Sequence, residues 1–298
     1  MPSPLQALFP TTPAPTLVDA PDLLSLRAEL DRLDDALHDT LMRRAEVVVQ
    51  VAALRVKGAV PLRPGREAAI IRRLLARHAG KLPPLGIVRI WRELLATTTA
   101  QQRPLVVAVC QAEGDPAYLA VAHEHFGALT PLRAHRTPAQ AIGEVSAGIA
   151  TVTVLPAPTE GEAPAAAWWT ALLHQGDPRI HVVARLPFWA PRPEGSPRVQ
   201  ALVVSAAAPD PSGVDRSLLG LELTPETSRA GLGAAVAAAG FQAGTTILRR
   251  DSGTPWAYAL VDVDGFVGDD DPRLPALQSV LRPPVVLGTY AVPLTGEG

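Results

Sequence analysis

The chain has 298 residues, with 27 Lys or Arg against 29 Asp or Glu, a net charge of −2, 47% apolar residues and 4% aromatics. This composition supports folded cores and a length of two or three domains, and it lacks the apolar run of about 18–20 residues that a membrane span needs. The single cysteine, Cys110, excludes an internal disulfide framework and fits a reducing cytosol, so a soluble cytoplasmic protein is expected.

Residues 1–21 are rich in Pro, Thr and Ala, without a basic segment followed by an apolar one; they read as a disordered tail rather than a secretory leader. From Asp22 to Lys57 no Gly or Pro interrupts the chain, and Leu26, Leu30, Leu33, Leu37 and Leu41 recur at helical spacing. Asp22 is the expected N-cap and Gly58 the expected stop. Such a helix would be about 54 Å long, too long for the core of a small monomeric domain, so it calls for a partner, most simply a second copy. At about 100° per residue Arg44 and Arg55 share one face, while Arg27 points about 100° away. That arrangement suits two arginines serving one pocket and the third a neighbour's.

A second helix is expected over Arg66 to His78, closed by Gly80, and a third over Leu85 to Gln102 after Pro83 and Pro84. Thr98 and Gln102 stand one turn apart on it. Residues 22–103 hold 15 basic and 9 acidic residues; residues 104–298 hold 12 and 19. The positive segment could attract nucleic acid, but no aromatic stacking platform accompanies the charge, and an anionic small substrate explains it equally well. With 25 arginines and two lysines in the chain, arginine is also the default cation here, so one arginine alone carries no assignment.

The motifs L-x-x-L-R-x-x-L-x-x-L-D at Leu23 to Asp34, R-R-A-E at Arg43 to Glu46, R-E at Arg66 and Glu67, and T-x-x-x-Q at Thr98 to Gln102 occur in order. Together they resemble the all-helical class of chorismate mutase. The resemblance implies a Claisen rearrangement of chorismate to prephenate, with no metal or other cofactor, in a homodimer built on the long helix. It implies Arg44 as one carboxylate clamp and Arg27 as the other, donated to the partner subunit's pocket. Arg55 stands where the family usually has a lysine against the breaking ether oxygen, and Gln102 would be the second donor there. Thr98 would approach a substrate carboxylate, Glu67 would accept from the ring hydroxyl, and Arg66 lies beside it. Arg63 occupies a substrate-side position where relatives often carry an acid.

After Pro104 the pattern alternates between strands and helices. Strands are expected at Leu105 to Cys110, Ile149 to Leu155 and Ile180 to Arg185, and helices at Ala117 to Phe126, Thr137 to Ser146 and Pro164 to Leu173. This α/β region, 104–205, resembles the prephenate dehydratase half of bifunctional mutase–dehydratases, through G-D-P-A-Y-L-A-V-A-H-E-H-F-G at Gly114 to Gly127. The family's catalytic Thr-Arg-Phe falls at Val199, Gln200 and Ala201, its Pro-Ile-Glu-Asn-Ser motif is replaced after Pro156, and its second lobe is missing. A truncated, inactive dehydratase-like domain is expected.

Residues 206–213 read as a connector. Over 214–293 a strand at Ser217 to Leu223, a helix at Thr227 to Ala239, a hairpin about Asp251–Ser252–Gly253, a helix at Pro272 to Leu281 and a strand at Val285 to Val292 give the order βαββαβ. This ferredoxin-like module resembles the ACT domain of those enzymes, which admits an aromatic amino-acid effector, although the effector motifs have drifted. The alternative to an active mutase is a non-catalytic regulatory or binding protein of the same ancestry. The arginines, Glu67 and Gln102 survive while the later motifs do not, and that unequal loss favours the mutase.

Overall fold

The computed structural model describes residues 22–54, 62–174, 176–277 and 280–296. The chain divides into two compact units, Met1–Ala53 and Leu54–Gly298. In the first, the expected long helix is α1, Leu23–Ala53. The Asp22 carboxylate accepts from the Ser25 N–H at 2.6 Å, the N-cap that its position predicted. Leu26, Leu30, Leu33 and Leu37 along this helix are each 47–59% exposed. Lys57 and the expected stop at Gly58 lie outside the described residues.

The second unit opens with two helices, α2 (Pro64–Ala76) and α3 (Pro84–Gln102), both beginning on a proline whose missing N–H costs nothing in a first turn. The rest is built on one nine-stranded sheet. Its strands are β1 (Val107–Cys110), β2 (Leu132–His135), β3 (Val152–Pro156), β4 (His181–Leu186), β6 (Ala201–Ser205), β7 (Asp215–Leu223), β8 (Ala243–Arg249), β9 (Ala257–Asp264) and β10 (Val285–Ala291). The order across the sheet is β2-β1-β3-β6-β4-β10-β7-β9-β8. The short strands β5 (Trp189–Ala190) and β11 (Leu294–Thr295) pair separately.

Side chains alternate across this sheet, so each face has its own core. One face gathers Ala108, Leu155, Leu202, Val204, Leu218, Leu260 and Tyr290 under Trp168, Trp169 and helix α5 (Pro138–Ser146). The other carries α4 (Ala117–Phe126) over Val107, Val109, Val152 and Val203, and α6 (Arg229–Ala238) over Leu219, Leu221, Val261 and Val263. A fourth cluster joins α2 and α3 to this body through Ala68, Ile71, Val88, Leu95, Phe188 and Ala291.

The regions 104–205 and 214–293 therefore share one sheet, joined where β10 runs parallel to β4 at Gly288 and Val182. Within the later region the spatial order β10-β7-β9-β8 is that of a ferredoxin-like module.

Two expected helices require correction. The stretch from Pro164 becomes a turn and then a 3-10 helix, Trp168–Leu173. There both adjacent indoles are buried and bonded, Trp168 Nε1 to the Pro156 carbonyl at 2.9 Å and Trp169 Nε1 to Glu162 Oε1 at 2.8 Å. Among the described residues of the stretch from Pro272, only a 3-10 turn forms, Leu274–Ala276. Pro275 removes an N–H and restricts the residue before it, and Val280 bridges to Leu223 in extended form instead. Before that turn, in the acidic run Asp269–Asp271, Arg179 holds Asp269 through two bonds.

Candidate functional site

The expected site residues fall on both units. Arg27 and Arg44 belong to α1; Arg27 is exposed, and Arg44 is partly buried with its pKa lowered by desolvation. Arg55 lies outside the described residues. Glu67 is on α2, and Thr98 and Gln102 are on α3.

Glu67 Oε2 accepts from Arg92 Nη1 at 3.1 Å. The pair is nearly dry, with side-chain exposures of 15% for Glu67 and 5% for Arg92. Burial raises the Glu67 pKa, Arg92 pulls it back, and Asp210 adds to the rise. Burial likewise pushes the Arg92 pKa down to about 10, with Glu67 opposing. Arg92 also stands 4.4 Å from the centre of the Phe188 ring. His125 packs edge-on against the same ring, and burial together with the Arg92 charge drives its pKa well below the ordinary value.

At the far end of α3 the Thr98 hydroxyl donates to the Leu94 carbonyl at 2.8 Å, and Gln102 Nε2 donates to the Thr98 carbonyl at 3.2 Å. Gln102 Oε1 is buried and, among the described residues, has no hydrogen-bond partner. Thr98 and Gln102 are thus brought together as their spacing predicted. Glu67 is not brought to them, because its partner Arg92 precedes Gln102 by ten residues, about 15 Å of helix.

Arg63 and Arg66 are exposed at the start of α2. Both meet the loop after β6. The Asp210 carboxylate accepts from the Gly65 N–H, the Arg66 N–H and Arg63 Nε, each at 3.0 Å. An acid from 145 residues away caps a helix whose own Arg63 supplies no side-chain cap. On the next turns Arg72 donates to the Ser212 hydroxyl at 2.7 Å and to the Val214 and Val292 carbonyls at 3.0 and 2.7 Å.

Sequence reasoning missed Arg92, Arg72 and Asp210. Arg92 left a signal, since it sits in the apolar stripe of Val88 and Leu95. Asp210 left none, because its partner is remote in sequence. Among the described residues no group of three or more His, Cys, Asp or Glu could hold a metal ion. Nor, among the described residues, is any helix long and apolar enough to cross a membrane.

Residues 26–103, which take in α2, α3 and all but the first three residues of α1, match one family model. That family is chorismate mutase type II. The bifunctional chorismate mutase/prephenate dehydratase of Stutzerimonas stutzeri is 29% identical over 144 residues, covering 46% of this chain and 39% of the relative. Its counterpart from Pseudomonas aeruginosa is 30% identical over 149 residues, 47% of this chain and 40% of the relative. The chain thus spans about two-fifths of the length of these curated relatives. A prephenate dehydratase from Arthrobacter aurescens, solved in complex with L-Phe, matches 63% of this chain and 90% of its own, with a TM-score of 0.46 and 14% identity. The chain therefore joins a helical segment that matches chorismate mutase type II to a mixed α/β sheet body.

Proposed function

We propose that this protein is a chorismate mutase that converts chorismate to prephenate and carries no dehydratase activity. The observation that carries the reading is the mutase family match, whose span includes Arg27, Arg44, Arg55, Glu67, Thr98 and Gln102 together. The rearrangement needs a dicarboxylate folded into a compact chair and donors aimed at the ether oxygen on which negative charge builds. Arg44 clamps one carboxylate through its planar fork, and its partial desolvation strengthens that bond. Arg55 and Gln102 address the ether oxygen; the amide nitrogen of Gln102 carries two N–H groups, and Thr98 engages one. Glu67 gives Oε2 to Arg92 and stands apart from Gln102, so its expected contact with the ring hydroxyl needs the two to come closer when substrate binds. Thr98, Arg66 and Arg63 complete the substrate side.

The exposed leucine stripe of α1 supports a homodimer formed through this helix, with Arg27 reaching the partner's pocket. For the dehydratase step, the side chain at the position of the expected threonine is that of Val199, which packs against the apolar core. It offers no hydroxyl. The strand order of the later region supports an ACT-like module appended to the enzyme, and the lone buried Cys110 fits a cytoplasmic setting.

The test follows chorismate consumption by the purified protein, with prephenate and phenylpyruvate measured separately. Prephenate accumulating alone is expected. Phenylpyruvate would overturn the reading of Val199, and no turnover would assign the chain to the non-catalytic alternative.

A further inference from the structure

The sheet face under Trp168 and Trp169 holds a second feature, remote in sequence from residues 26–103. A cavity of about 80 Å³ lies against strands from both halves of the sheet. On one side Arg185 of β4 and Leu202 of β6 are direct cross-strand partners. On the other, Ile247 of β8 pairs with Leu260 of β9, and Asp262 stands opposite Leu218 of β7. Tyr290 of β10 closes the space between them.

The charges around the cavity are unequally satisfied. Asp262 is fully engaged: Oδ2 accepts from the Tyr290 hydroxyl at 2.7 Å and Oδ1 from Arg216 Nε at 2.8 Å. Burial, with Asp262 adding to it, pushes the Tyr290 pKa up to about 12, so this hydroxyl stays neutral. Arg185 makes one bond, Nη1 to the Tyr290 hydroxyl at 3.3 Å, and among the described residues it has no carboxylate partner. Its Nε and Nη2 therefore present an unfilled planar fork beside a wall of Leu202, Leu218, Ile247 and Leu260.

We propose that this cavity binds a small organic monocarboxylate with an apolar body, its carboxylate on Arg185 and its body on the leucine and isoleucine wall. A planar two-oxygen head matches the fork of a guanidinium. Asp262 on the same wall opposes a dianion such as phosphate, and the apolar lining leaves phosphate nothing to bury. The site draws residues from β4, β6, β7, β8, β9 and β10, so it exists only because the two regions share one sheet.

Benzoate joins a planar carboxylate to a compact rigid body and serves as the probe, with benzamide as its neutral counterpart. Calorimetry on the full chain at neutral pH is expected to show saturable benzoate binding, with benzamide at least tenfold weaker. Arg185→Gln should weaken benzoate at least tenfold, and Arg185→Lys less. Arg44→Ala, which removes the carboxylate clamp of the mutase site, should leave benzoate binding unchanged, and the Ile247 and Leu260 methyl resonances should shift on titration. Equal affinity for benzamide, no saturation by about 10 mM, or loss of binding in Arg44→Ala would overturn the proposal. Should Arg185→Gln fail to fold, the benzoate–benzamide comparison on the unaltered protein decides.

Discussion

Gly288 of β10 approaches Val182 of β4 so closely that a Cβ on the glycine would stand 2.1 Å from the Val182 carbonyl oxygen. Its φ of +143° is also one that side chains rarely adopt. Space and backbone conformation both require glycine at the join of the sheet. Gly288→Ala is expected to cost about 3 kcal/mol or to prevent folding. Urea unfolding followed by circular dichroism checks this; an unchanged midpoint would show that the halves are joined by other means.

The Asp210 cap on α2 gives a second expectation. Asp210→Ala orphans the Gly65 and Arg66 N–H groups and should destabilise the protein by about 1–2 kcal/mol. Asp210→Asn keeps one acceptor and should recover part of the loss. Equal midpoints for all three proteins would mean that water caps the helix as well as the carboxylate does.

The pH dependence of stability should carry a signature of His125. Its folded pKa is well below 6.5, so the unfolded chain binds the proton more strongly. The stabilising contribution is full above pH 6.5 and is lost as pH falls below it, by at most about 1.4 kcal/mol per pH unit. Replacing His125 with Phe should remove one proton from the slope between pH 6.5 and 5. An identical slope in the variant would show that the ring is protonated in the folded state.

Arg92→Met breaks the buried pair and leaves Glu67 without its cation. At neutral pH this should cost about 3–5 kcal/mol. The Glu67 pKa is already raised from 4.5 and rises further once Arg92 is gone. A raised carboxyl favours the folded state below its unfolded pKa, so the deficit of the variant should be small near pH 4 and grow as pH rises. A deficit independent of pH would assign the loss to packing on Phe188 instead.

For the mutase site, Arg44→Ala should lower kcat/KM by at least about 10²-fold with the circular dichroism spectrum unchanged. If Arg27 crosses a dimer, Arg27→Ala and Arg44→Ala are each inactive alone, yet mixing them restores activity in pockets that contain neither substitution. Absence of complementation after verified subunit exchange would place Arg27 in its own pocket.

What the sequence made legible follows from the range of the forces involved. Helix α1, with its Asp22 cap and leucine spacing, and the α6–β8–β9 succession are written in neighbouring residues, and the structure has them close to the expected bounds. Strand β2, Leu132–His135, was missed because an edge strand reading Leu-Arg-Ala-His has no alternation to detect. The Pro272 helix was wrongly expected because apolar spacing outvoted Pro275. The site divides in the same way. Thr98 and Gln102 could be paired by counting one turn, whereas the Glu67–Arg92 bond and the Asp210 cap depend on docking between elements 25 and 145 residues apart.

The join at Gly288 also has a consequence for synthesis. Strand β4 lies between β6 and β10, and its register partner Gly288 follows Val182 by 106 residues. On a ribosome β4 emerges and pairs with β6 while its other edge still shows bare N–H and C=O groups. That edge stays open until β10, more than a hundred residues further along, has also left the exit tunnel. The nascent protein therefore passes through an interval in which a chaperone, or a neighbouring chain, competes with β10 for the same row of hydrogen bonds.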